Sequence, residues 1–150
     1  MRVTIYRYWT DGDGNKLKVL DPKYIQLWLN GSLLPCGEDD PSGAFSAGGW
    51  LEDPADRTDE RIVLYYTRPV APGADTAPFA SHFSIDPEAG LVVEQTETDG
   101  AIATAYLYNG AQFCLKVKVD AVQDHNAADA ILSAWGRRVS VGPDGALSLG

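Results

Sequence analysis

The sequence predicts a mainly β fold, an antiparallel β-sandwich or barrel built from hairpins, with one short α-helix near residues 126–135. Three observations carry this. Short alternating segments rich in Val, Ile, Tyr and Trp recur along the chain, most of them end in Gly, Asn, Asp or Pro, and one window alone has helical spacing. With 150 residues, of which 45 % are hydrophobic, the chain supports one core without a stabilising metal or disulfide. Residues 1–150 are therefore read as a single β-rich domain carrying a long acidic loop at 34–61.

Taken in order, VTIYRYW (3–9) reads as a strand that turns through DGDGNK (11–16) into a second strand, LKVL (17–20). YIQLWLN (24–30) ends at Gly31, RIVLYYT (61–67) follows the acidic loop, and FASHFSI (79–85) leads into Asp86-Pro87. LVVEQTE (91–97) joins AIATAYLY (101–108) through Thr98-Asp99-Gly100. Asn109-Gly110, the preferred pair for a type I′ turn, would join that strand to AQFCLKVKV (111–119) and complete a three-stranded meander. In the last strand Phe113, Leu115, Val117 and Val119 alternate with Cys114, Lys116, Lys118 and Asp120, predicting one buried and one wetter face. From 126 to 135, Ala128, Ile131, Leu132 and Trp135 fall at helical spacing, with Asn126 as N-cap and Gly136 as stop. Such a helix would lie across a sheet or plug a barrel end. VSV and ALSL flank Gly142-Pro143-Asp144-Gly145 as a final hairpin. Four Asp-Pro pairs, at Asp21, Asp40, Asp53 and Asp86, suit type I turns.

The segment 34–61 interrupts this rhythm. From Glu38 to Glu60, the acids Glu38, Asp39, Asp40, Glu52, Asp53, Asp56, Asp59 and Glu60 stand against Arg57 alone, a local charge of −7 in a chain of net −9. Phe45, Trp50 and Leu51 supply apolar anchors. An acidic excursion with such anchors is where a small β protein meets a partner. Phe45, Trp50, Leu51, Glu38, Asp39, Asp40, Asp53 and Asp56 are accordingly the expected partner-binding residues. On this reading, deleting 42–51 leaves the fold intact and abolishes assembly.

Several chemistries are disfavoured. A net charge of −9 opposes binding to nucleic acid or to an anionic membrane. Apolar runs fall far short of the ~20 residues that span a bilayer, and the first residues lack an apolar core and cleavage site, so no signal peptide is expected. Cys36 and Cys114 lie far apart with no CxxC spacing, which predicts free thiols, no metal and no cofactor. DGDGNK resembles a calcium loop only superficially, since Lys16 replaces the sixth-position glycine and Pro22 the closing Glu. His82 with Cys114, or His125 with Cys36, would be the available base and nucleophile, without any supporting motif. Tyr6 with Tyr8, and Tyr106 with Tyr108, pair on single faces and are expected to pack the core.

The sequence thus leads to a non-catalytic structural or assembly subunit that contacts other protein subunits and forms a homo-oligomer. A virion protein of a bacteriophage head or tail is the expected kind, located in the particle or in the cytoplasm of the producing cell. The alternative is a soluble binding module for carbohydrate or for a basic protein, of inhibitor or immunity type. A Cys/His hydrolase comes third.

Overall fold

Alternation in the first strand decides the architecture. Val3, Ile5, Arg7 and Trp9 of β1 (Arg2–Thr10) share one face, and Thr4, Tyr6 and Tyr8 share the other. The computed structural model describes all residues, 1–150. After β1 come β2 (Ile25–Leu29), β3 (Ser32–Leu33), β4 (Ser46–Ala47), β5 (Trp50–Glu52), β6 (Arg61–Tyr66), β7 (His82–Ile85), β8 (Val93–Thr98), β9 (Ala101–Tyr106) and β10 (Gln112–Asp120). The chain closes with α1 (Ala127–Trp135), β11 (Val139–Val141) and β12 (Leu147–Leu149). The fold is mainly β, made of antiparallel hairpin sheets with one short helix near the C-terminus, and no barrel closes.

Two sheets pack face to face. The larger runs β10-β1-β6-β5-β4 and the smaller β3-β2-β7. In the larger, Ile5 lies between Val117 and Ile62, and Val3 between Val119 and Leu64. In the smaller, Ile25 pairs with Ile85 and Leu27 with Phe83. The apolar faces meet in a core of Val3, Ile5, Ile62, Leu64 and Trp50 against Leu27, Leu29, Leu34 and Phe45. A second cluster of Trp9, Leu20 and Ile25 closes one end. Helix α1 lies on the outer face of the larger sheet, where the Trp135 ring sits 5.9 Å from Tyr65 and 4.9 Å from the Arg2 guanidinium carbon.

The strands at 3–9, 24–30, 61–67 and 79–85 and the final hairpin are found where the pattern placed them, with shifted ends. Three details differ. Residues 17–20 form a turn, not a strand, because Leu20 buries its side chain between Trp9 and Ile25. The β9–β10 hairpin does not form: β9 pairs with β8 alone and β10 pairs with β1. Tyr108 explains this, since its ring packs 5.1 Å from Trp9 and 5.3 Å from Tyr24 and its hydroxyl accepts from Asp21 N at 2.8 Å. That contact drags the connection inward, and the two-residue type I′ geometry goes to Asp99 (φ 52°) and Gly100 (φ 78°) instead. Asn126 precedes α1 as expected but takes φ 55° and caps nothing with its side chain, whereas Gly136 (φ 67°) stops the helix as expected. Each of the four Asp-Pro carboxylates accepts from the N–H two residues on, namely Lys23, Ser42, Ala55 and Glu88, at 2.9–3.0 Å.

Candidate functional site

The acidic segment folds inward. Trp50 is 1 % exposed, donates from Nε1 to Ala77 O at 3.0 Å, and packs against Tyr66 and Phe79. Phe45 is also in the core. Glu52, from the same strand as Trp50, receives two charge-assisted bonds from Arg57: Nε to Oε1 at 2.7 Å and Nη2 to Oε2 at 2.9 Å. Arg57 also donates to Asp40 O and Gly43 O, and Glu52 accepts from Phe45 N at 3.0 Å, so this buried pair staples the segment together. Asp53 is buried against Arg137, and Asp56 accepts from the Tyr65 hydroxyl at 2.9 Å. The expected loop is therefore part of the sandwich. Phe45, Trp50 and Asp53 make their contacts within the chain, Leu51, Asp40 and Asp56 are half-buried, and Glu38 and Asp39 remain exposed. Removing 42–51 would remove Phe45 and Trp50 from the core, so the expectation that the fold survives that deletion is withdrawn.

The exposed acids of the segment border an open groove of about 960 Å³, where eight carboxylates gather against Arg7, Lys18 and Lys23. Arg7 is buried beneath it and donates to the carbonyls of Ile25 and Pro35. Beside Arg7, burial pushes the Cys36 thiol up to about 11, and its S–H faces Asp59 O at 3.4 Å. At neutral pH this sulfur is a thiol and a poor nucleophile. No three His, Cys, Asp or Glu side chains converge as metal ligands would.

The other pairings do not meet. His82 stacks on Trp28 with a centroid distance of 5.8 Å on the outer face of the small sheet, while Cys114 lies on the outer face of the large one. His125 and Cys36 line different cavities. The Asp11 carboxylate is saturated by its own turn, accepting from Asp13 N, Asn15 N and Asn15 Nδ2. Of the tyrosines, Tyr108 packs into the end cluster, Tyr6 and Tyr8 are half-buried, and Tyr106 is 59 % exposed.

An uncovered apolar surface lies elsewhere. The small sheet has three strands against five and stops short of β10. Phe113, Val117 and Val119 of β10, with Phe83 and Ile85 of β7, sit on core-facing positions yet are 37–55 % exposed. The Phe83 and Phe113 rings approach to 5.0 Å across the opening, and a cleft of about 180 Å³ lies alongside, floored by Ile5, Leu27, Phe79 and Leu115. In the chain between β7 and β10, the β8–β9 hairpin has every strand residue exposed and pairs with no other strand. Sequence reasoning missed this flank: alternation along 112–120 marks which side chains face the core, but not whether the opposing sheet is wide enough to cover them. No helix is long and apolar enough to cross a membrane. No protein-family model, curated protein or solved structure matches this chain.

Proposed function

We propose that this protein is a non-catalytic assembly subunit that associates with copies of itself through its open flank and hairpin. The observation that carries this reading is the row of core-facing side chains on β10 and β7 left in water, with a hairpin in the chain between those strands that has no core of its own. An isolated two-stranded hairpin is marginal in water, and a contiguous apolar patch gains free energy when covered. A particle of repeated subunits, such as a bacteriophage head or tail, is the kind of assembly this subunit suits. Light scattering on the purified chain at increasing concentration tests the reading. It predicts a mass above 16.2 kDa, and a mass that stays at that value to the highest soluble concentration refutes it.

The acidic groove favours a second reading, a binding module for a basic protein. Charge of one sign around a concave face speeds encounter with a cationic partner, and the gain falls with salt. Failure of an immobilised basic protein to retain the chain at low ionic strength would remove it.

A further inference from the structure

What covers the flank follows from its shape and charge, given the assembly reading above. The cleft is bounded by β7 and β10, each at the end of its sheet with one edge unpaired. Unpaired edges flanking an apolar floor accept added strands. The β8–β9 hairpin offers such strands. Its register puts Val93, Ile102 and Tyr106 on one face with Gln95, Glu97 and Thr104, and Ala101, Ala103 and Ala105 on the other with Glu94, Thr96 and Thr98. Residues 91–107 hold Glu94, Glu97 and Asp99 and no Lys or Arg. On the face of β10 opposite its apolar row, Lys116 and Lys118 point outward, the latter with 62 % of its side chain exposed and its Nζ 3.4 Å from Asp120. A hairpin added at the β10 edge with its Val93 face over the cleft would turn Glu94 outward toward these lysines, a complementary pairing in so acidic a chain.

The hairpin does not fill the cleft of its own chain, and both of its roots are anchored. Asp86 accepts from Gln26 Nε2 at 2.9 Å, Ala89 is buried, and Tyr108 is held by Trp9, Tyr24 and the Asp21 N–H. The geometry points to the β8–β9 hairpin of a second copy as the occupant of the β7–β10 cleft, exchanged mutually in a two-fold dimer. Mutual exchange satisfies both hairpins and both clefts at once and closes the assembly.

Charge substitutions on the two surfaces test this, read by light scattering on the full chain. Ile102→Glu places a carboxylate on the hairpin and Val117→Lys an ammonium in the cleft; both positions are exposed in one copy, at 68 % and 46 %, so each variant keeps the wild-type circular dichroism. Val119→Lys replaces Val117→Lys if that spectrum changes. Wild type is expected at twice the 16.2 kDa chain mass, and each variant alone at the chain mass. An equimolar mixture regains the dimer, because the mixed pair holds one native contact and one Glu–Lys contact. A dimeric wild type with either variant still dimeric, or with no recovery on mixing, overturns the exchange and leaves self-assembly through another surface. A monomeric wild type overturns both.

Discussion

Replacing Arg57 by Met measures how firmly the acidic segment belongs to the fold. The guanidinium donates twice to Glu52, at 2.7 and 2.9 Å, and also to Gly43 O at 2.6 Å and Asp40 O at 3.2 Å. The two side chains are 3 % and 0 % exposed. Met keeps most of the apolar stem and none of the donors, so Glu52 retains only the Phe45 N–H. Breaking a buried ion pair from one side costs about 3–5 kcal/mol, because the remaining charge stays desolvated and uncompensated. Against a total stability of about 5–15 kcal/mol for a domain, that is a large share. At about 2–4 °C per kcal/mol for a chain of this size, Tm should fall by about 6–20 °C. Urea unfolding followed by tryptophan fluorescence reads the loss, since Trp50 shares β5 with Glu52. Adding Glu52→Gln removes the stranded charge, keeps an acceptor for Phe45 N–H and should restore about 2 kcal/mol. A loss below about 1 kcal/mol in the single variant, or a double variant no more stable than the single, would refute the reasoning.

Three further outcomes follow from the same geometry. Trp50→Ala should cost about 3–5 kcal/mol in urea unfolding, and deletion of 42–51 should abolish cooperative unfolding; a folded deletion variant would return the segment to the status of a loop. Burial pushes the Asp40 carboxyl up, but hydrogen bonds from Ser42 and the Cys36 N–H outweigh this and hold it below the usual 3.8, while the bond from Arg2 does the same for Asp120. Since the folded values lie below the unfolded ones, their stabilisation is complete above the unfolded value and lost as pH falls through the folded values. The urea midpoint should therefore drop below about pH 4 through these groups, less so in Asp40→Asn, and an unchanged acid limb in that variant would contradict the assignment. With its thiol pushed up to about 11, Cys36 should resist iodoacetamide at pH 7 until urea unfolds the chain; rapid native-state alkylation there would show that it is not shielded.

Local physics was legible in the sequence wherever it acts alone. Period-two alternation located β1, β2, β6 and β10, and the i, i+3, i+4, i+7 spacing located α1 to within one residue. Turn chemistry transferred less evenly. Asn109-Gly110 has the stronger type I′ signature, yet a tertiary contact made by its neighbour Tyr108 overrides it, while Asp99-Gly100, free of such contacts, keeps its local preference. The acidic segment misled for a related reason. Counting charge along 34–61 treats Glu52, Asp53 and Arg57 as solvated, but the pairing of Arg57 with Glu52 across one strand end is a three-dimensional fact with no local signature. Sheet width is likewise a global property, so the open flank had no sequence signal beyond a hairpin whose alternating residues never find cover.

The same charge distribution argues about where copies of this chain can meet. At physiological salt, fields fade over about 8 Å, so the charge of the facing surfaces matters more than the net −9. Two copies meeting through the groove would oppose eight carboxylates to eight, relieved by only three basic side chains on each side. The face that the sequence marked for assembly is thus the face on which a second copy is most strongly repelled, while part of its acidic charge is buried to hold β5 and the C-terminal region in place. The flank has a different balance: its exposed row is apolar, the outer face of its β10 edge carries Lys116 and Lys118 with Asp120 paired to the latter, and the proposed hairpin is acidic. On the proposed exchange, repulsion at the groove and complementarity at the flank act in the same direction.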